Sequence, residues 1–196
     1  VYKIQVLDHY GAEDVTIIGV SLGGELCMRA AAMEPRIRRV VSWSVLPSIY
    51  GALMADKPAE IRAKLEHWLD ENNRDAILDL YAGLAEREPL FRWSIQHSNY
   101  AYGTSDVYEY LQKARAFTIE PVAERITQDV LLLSAREDLL VDFALYKQEI
   151  DLLKNTRSLE FAVPGRALNG QAHCNMGNTR FMLDLILNWI DRTLER

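Results

Sequence analysis

A serine placed between glycines is the first residue of this chain whose surroundings suggest chemistry. Ser21 lies in the segment Gly19-Val20-Ser21-Leu22-Gly23-Gly24. A serine hydroxyl is a weak nucleophile unless a base takes its proton, and that base needs an acid to orient it. Asp138 and His173 follow Ser21 in the chain and are our candidates for the acid and the base. Together the three residue types predict attack on a carbonyl carbon.

The Gly-x-Ser-x-Gly pattern is short, so its meaning depends on the elements around it. Residues 15–19 are β-branched and predict a buried strand, and residues 25–33 are rich in helix formers. A serine in a tight strand-to-helix turn is lifted above the edge of the sheet, and the backbone N–H of Leu22 then faces the developing oxyanion. Gly19, Gly23 and Gly24 keep this turn free of clashes. The alternative is a glycine-rich turn that binds nothing.

The candidate acid and base both follow predicted strands. Asp138 comes after the apolar run 129–134, and His173 follows the strand predicted at 158–163 and a loop at 164–170. Glu137 and Asp142 are rival acids in the same turn, and Asp138 has an alternative role as a turn former or helix cap. The alternative for His173 is a solvated loop histidine.

Several other reactive or aromatic side chains leave alternatives open. Cys174 is a conceivable nucleophile beside His173, but no separate base is evident, and Cys27 is expected in the core. His97 falls in a helical region and could face a pocket. The aromatic side chains between residues 91 and 110 either line a substrate pocket or pack that helical region on the sheet.

The elements that must position the candidate residues predict an α/β fold. Residues 15–43 read as strand, turn, helix and strand, which is a βαβ unit and implies a parallel sheet. Two further strands are predicted at 129–134 and 158–163, and two further helices at 143–153 and 179–194. Between the strands, helical periodicity and no strand signal predict a helical lid at about 52–117, within a single domain of 196 residues.

Composition excludes several classes of partner. The net charge of −6 makes a phosphate backbone an unlikely ligand, so we expect no nucleic acid partner. No apolar run is long enough to span a membrane, and no signal peptide is recognisable, so we expect a cytoplasmic protein without a membrane partner. The two cysteines make no disulfide framework, and the four histidines are far apart in sequence. We therefore expect no metal and no cofactor.

Three segments resemble serine α/β-hydrolases, and more narrowly the esterase-like group of the fermentation-respiration switch protein and dihydroxypseudooxynicotine hydrolase. Residues 19–24 resemble the nucleophile elbow, residues 131–138 the acid-bearing strand and turn, and residues 172–178 the histidine loop, where Asn175 replaces the usual glutamine. The resemblance implies hydrolysis of a small-molecule carboxylic ester or amide through Ser21, Asp138 and His173. A carbon–carbon bond hydrolase and a non-catalytic binding module are the alternatives.

The resemblance also implies strands that precede the elbow strand and supply a second oxyanion N–H. We therefore expect this chain to be the C-terminal portion of a longer protein, with weakened activity by itself. We further expect the outer side of strand 15–19 to be an exposed apolar edge. Such an edge pairs readily with another chain, which predicts a homodimer.

Overall fold

The structure, a computed structural model, describes residues 2–195 and divides them into two compact units. One unit consists of the described residues up to Ser48 and from Thr118 onward, and the other is Ile49–Phe117. The first unit contains the sheet and all of the predicted site residues. The second unit is helical.

Four parallel strands form the sheet of the first unit, in the spatial order β1-β2-β3-β4. Their bounds are β1 Val15–Val20, β2 Ile37–Trp43, β3 Asp129–Leu133 and β4 Ser158–Ala162. Gly19 pairs with Ser42, and Trp43 pairs with Leu133, so the carboxyl ends of the strands lie at one edge of the sheet. The loops that carry Ser21, Asp138 and His173 follow β1, β3 and β4 and therefore meet at that edge.

The described residues also form α-helices between and after the strands. In chain order these are α1 Tyr2–Tyr10, α2 Leu22–Ala31, α3 Ile49–Ala55, α4 Ala59–Asp70, α5 Arg74–Arg87, α6 Pro89–Tyr102, α7 Val107–Arg115, α8 Ala144–Leu152 and α9 Thr179–Leu194. The terminal helix has the bounds that its amphipathic pattern predicts. Helix α1 was not predicted, whereas α6 lies within the segment 52–117 that was predicted to be helical. No residue of α6 is fully buried.

The core of the first unit lies on both faces of the sheet. On one face, Met28 of α2 and Tyr146 of α8 pack against Val40 and Val130. On the other face, Met182 and Trp189 of α9 pack against the sheet. Strands β2 and β3 are buried on both faces, which explains the apolar run Val-Leu-Leu-Leu in β3. The predicted α/β class with a parallel sheet and flanking helices is confirmed.

The second unit consists of helices α3 to α7. Its fully buried side chains include Leu65, Leu69, Ile77 and Leu111. Helix α5 begins at a cap in which the Asn73 side chain accepts the N–H of Ala76. Helix α7 likewise begins at a cap, in which the Asp106 side chain accepts the N–H of Glu109.

Strand β1 lies at one edge of the sheet. Within the part of the chain that the structure describes, its outer side has no strand partner. Ile18 and Val20 are 43% and 48% exposed. None of the helices that the structure describes is both long enough and apolar enough to cross a membrane.

Candidate active site

The turn that carries Ser21 is strained and anchored at both ends. Ser21 has φ 55° and ψ −121°, a conformation that costs a non-glycine residue about 1–3 kcal/mol. Its backbone N–H donates to the carbonyl of Trp43 at 2.7 Å, which fixes the turn to the end of β2. Its own carbonyl accepts the N–H of Gly24 at 2.7 Å and starts α2. These hydrogen bonds hold the half-buried Ser21 at the end of β1.

Two of the three glycines in the turn are required by close backbone approach. A Cβ atom on Gly19 would lie 1.8 Å from the carbonyl oxygen of Gly23, and one on Gly24 would lie 2.5 Å from the carbonyl oxygen of Ser44. A Cβ atom on Gly23 would meet nothing within 4 Å. The prediction that Gly23 must be a glycine to avoid a clash is therefore wrong, because a side chain at this position would point into open space.

Ser21, His173 and Asp138 form a continuous chain of hydrogen bonds. The Oγ of Ser21 lies 2.8 Å from Nε2 of His173. On the other side of the ring, Nδ1 lies 2.8 Å from Oδ2 and 3.0 Å from Oδ1 of Asp138. Because the carboxylate accepts the Nδ1–H, the Nε2 of a neutral ring is left as the acceptor for the serine hydroxyl.

Asp138 receives further hydrogen bonds that fix its orientation. The backbone N–H groups of Leu140 and Val141 donate to Oδ1 at 2.8 and 3.1 Å, and the hydroxyl of Ser44 donates to Oδ2 at 3.2 Å. The side chain is 2% exposed. The carboxylate is thus held by donors on three sides and turned toward His173.

The two rival acids have other partners. Glu137 makes a two-pronged ion pair with Arg166 at 2.6 Å. Asp142 accepts the N–H of Ala144 in the first turn of α8. Of the three carboxylates in this turn, Asp138 is therefore the one that contacts the histidine.

The histidine loop is tied to the acid loop and has an unusual backbone. The N–H of Glu137 donates to the carbonyl of Gln171 at 2.9 Å, which joins the two loops. Cys174 and Asn175 both adopt left-handed conformations, with φ 52° and 51°.

The Cys174 sulfur and, to a lesser degree, Asp138 raise the pKa of His173 to about 9, while burial acts in the opposite direction.

A backbone donor lies beside the candidate nucleophile. Leu22 is the first residue of α2, so its N–H has no acceptor within the helix. The positive end of the helix dipole adds to the attraction for an anion there. This N–H is the candidate oxyanion donor that the sequence predicted.

The remaining candidates lie elsewhere or are buried. His97 belongs to the second unit, where its ring stacks on Trp93 with centroids 5.2 Å apart. Cys27 is buried in the core, and burial raises the pKa of its thiol. Cys174 is a buried free thiol. Throughout residues 2–195, no group of three or more His, Cys, Asp or Glu side chains is arranged to hold a metal ion.

Sequence reasoning missed two residues that contact the site. Ser44 donates to Asp138, and Asn175 is a buried residue of the histidine loop itself. Ser44 has φ 74°, and nothing in its sequence context indicates this. Asn175 carried a weak signal, because it stands where the resembled group has glutamine.

These features define an α/β hydrolase, and the chain belongs to the alpha/beta hydrolase fold family, whose model matches residues 1–166. The predicted resemblance is confirmed at this level. His173 lies beyond the matched segment, so its place beside Ser21 rests on the structure.

Particular relatives are similar over different shares of the chain. Hydrolase acrC of Aspergillus aculeatus is 29% identical over an alignment 119 residues long, which covers 54% of this chain and 27% of that protein. The α/β hydrolase GrgF from Penicillium sp. sh18 is 13% identical with a TM-score of 0.60, covering 97% of this chain and 70% of its own. The structure of 2,6-dihydroxy-pseudo-oxynicotine hydrolase is 16% identical with a TM-score of 0.57, covering 94% and 43%. This chain thus spans about a quarter of the curated relative, and the structural similarities show the fold.

Proposed function

We propose that the protein is a serine hydrolase that cleaves a small-molecule carboxylic ester or amide. The observation that carries the proposal is the unbroken hydrogen-bond chain from Ser21 through His173 to Asp138. A nucleophile, a base and an orienting acid at these distances are the parts that acyl transfer needs.

The proposed reaction follows from the positions of the donors and acceptors. Ser21 Oγ attacks the substrate carbonyl while its proton passes to Nε2 of His173, and the N–H of Leu22 stabilises the oxyanion. His173 then gives this proton to the departing alcohol or amine as the carbon–oxygen or carbon–nitrogen bond breaks. Water attacks the acyl-serine, with His173 again taking the proton and returning it to Ser21. Asp138 holds the ring and stabilises the imidazolium throughout.

Labelling with a fluorophosphonate tests the proposal. We expect the probe to modify Ser21, as mapped by peptide mass spectrometry, and we expect turnover of a p-nitrophenyl ester. Both should be lost in Ser21→Ala and kept in Ser94→Ala, whose hydroxyl makes a bond within α6. Labelling without ester turnover would favour a carbon–carbon bond hydrolase. A folded wild-type chain with neither labelling nor turnover would contradict the proposal and favour a binding module.

We also propose that two copies associate through the outer edge of β1. The support is an exposed strand whose sequence, Val-Thr-Ile-Ile-Gly-Val, contains no charge to discourage pairing. Sedimentation velocity should show a dimer for the wild-type chain and a monomer for Ile18→Lys. The control is Phe161→Lys on β4 at the opposite edge, which should remain dimeric. A monomeric wild-type chain would contradict this proposal.

A further inference from the structure

We propose that Asn175 is a positioning residue whose side-chain amide holds the histidine loop in place relative to the turns that carry Ser21 and Asp138. The inference rests on the proposed function, since it concerns how His173 is kept beside Ser21 and Asp138. Asn175 itself does not contact the reacting atoms.

The amide of Asn175 is buried and uses both of its ends. Asn175 is 1% exposed. Its Nδ2 donates to the carbonyl of Ser134 at 3.1 Å and also to the carbonyl of Gly170. Its Oδ1 accepts the indole Nε1–H of Trp43 at 3.2 Å. A buried amide with its donors and acceptor satisfied is a rigid connection, because leaving any of these groups unpaired is costly.

The partners of this amide are the residues that anchor the rest of the site. Trp43 uses its backbone carbonyl to accept the N–H of Ser21, and its indole to donate to Asn175. Ser134 follows β3 directly and lies at the start of the turn that carries Asp138. The Asn175 amide therefore connects the histidine loop by hydrogen bonds to Trp43, which anchors the Ser21 turn, and to Ser134, which begins the Asp138 turn.

The backbone beneath His173 explains why such a connection is needed. Cys174 and Asn175 are both left-handed, which costs free energy at Cys174 in particular, while asparagine tolerates this conformation better than most residues. One backbone hydrogen bond in the loop runs from the N–H of Asn175 to the carbonyl of Ala172 at 2.8 Å. The side-chain amide adds long-range contacts, to Trp43 and Ser134, that hold this backbone in place.

Asn175→Asp is the sharpest change, because it keeps the shape and removes the donor. A carboxylate would face the carbonyl oxygens of Ser134 and Gly170 and should release the loop. A misplacement of about 1 Å in a catalytic group costs roughly 10²-fold in rate, so we expect labelling of Ser21 by the fluorophosphonate to slow by about that factor. For a p-nitrophenyl ester, kcat should fall while KM stays within about twofold.

Asn178→Asp is the matched control. Asn178 lies in the same loop, donates to the carbonyl of Leu168 at 3.0 Å and accepts the N–H of Phe181 at the start of α9. These hydrogen bonds do not involve Trp43 or Ser134, so the substitution should leave the labelling rate within about twofold of the wild type. A purely structural effect would slow both variants alike and would overturn the proposal.

A second readout does not depend on catalysis. The Nδ1–H of His173, shared with Asp138, should give a low-field proton NMR signal in the wild-type chain and in Asn178→Asp, and this signal should disappear in Asn175→Asp. If the wild-type chain is never labelled, the proposed hydrolase fails, yet loss of the signal in Asn175→Asp still supports the positioning role. A folded Asn175→Asp that keeps both the signal and the wild-type labelling rate would overturn it.

Trp43→Phe covers the case in which Asn175→Asp does not fold. This change removes the indole donor, together with part of the buried ring, and leaves both amide donors of Asn175 in place. Labelling should slow roughly fivefold, which corresponds to the loss of one ordinary hydrogen bond. Labelling of Trp43→Phe at the wild-type rate would contradict the positioning role.

Discussion

Two buried carboxyl groups in the first unit, at Asp138 and Glu149, differ in what surrounds them. The Asp138 side chain is 2% exposed and Glu149 is 1% exposed. Asp138 receives hydrogen bonds from two backbone N–H groups, a serine hydroxyl and His173. Neither carboxyl oxygen of Glu149 has a hydrogen-bond partner within the described chain. Both carboxyl groups are buried, so burial does not distinguish the candidate catalytic acid from a structural glutamate. The hydrogen-bond donors around Asp138 do.

The physical consequence appears in the protonation of Glu149. Burial raises the pKa of Glu149 to about 8, and the negative charge of the nearby Glu25 raises this pKa further. The Leu46 backbone and the Ser42 hydroxyl lower the pKa, although neither makes a hydrogen bond of normal geometry with Glu149. The group is accordingly held neutral inside the fold at neutral pH. The donors around Asp138 instead orient its carboxylate toward the imidazole of His173.

The largest expected effect comes from removing the charge of Asp138. Asp138→Asn keeps the shape but favours the wrong tautomer of His173, and kcat for a p-nitrophenyl ester should fall roughly 10³- to 10⁴-fold. Asp142→Asn, in the same turn but bonded to Ala144, is the control and should keep nearly full activity. Equal losses of kcat in Asp138→Asn and Asp142→Asn would show that Asp138 is not the acid that orients His173.

Glu149→Gln should change stability rather than activity. An unfolded glutamate loses its proton near pH 4.5 and the folded one near pH 8, so the folded state holds the extra proton between these values. Rising pH then favours unfolding, by up to about 1.4 kcal/mol per pH unit. Urea unfolding should show that Glu149→Gln gains stability over the wild type from pH 5 to pH 8, with unchanged labelling of Ser21. Parallel stability curves would show that Glu149 is not held neutral.

The smallest effect is expected from Ser44→Ala, which removes one of the donors to Asp138. The two backbone N–H groups and His173 remain, so kcat should fall only about two- to tenfold, as for one hydrogen bond. Steady-state kinetics on the same ester would measure this. A loss as large as that of Asp138→Asn would mean that one donor, and not the set, orients the acid.

The sequence predicted the sheet well because the strands are local and strongly patterned. The apolar run of β3 and the amphipathic stripe of α9 each follow from neighbouring residues. Ser21, Asp138 and His173 were selected because each lies in a segment that follows a predicted strand, and parallel strands bring their carboxyl ends to one edge. The structure places them in contact.

The remaining features depend on contacts between distant residues. Asn175 lies 132 positions from Trp43, and Ser44 lies 94 positions from Asp138. No local pattern encodes such pairs. Buried acids pose the same difficulty, since the sequence around Glu149 resembles that of any amphipathic helix.

The central claim, that His173 is the base for Ser21, is tested most directly by the pH dependence of Ser21 labelling. The ring must be neutral to accept the serine proton, and its pKa is about 9. We therefore expect the fluorophosphonate labelling rate of the wild-type chain to rise with pH and level off above about pH 9. A rate that is flat from pH 6 to pH 10, or one that falls through this range, would contradict the account.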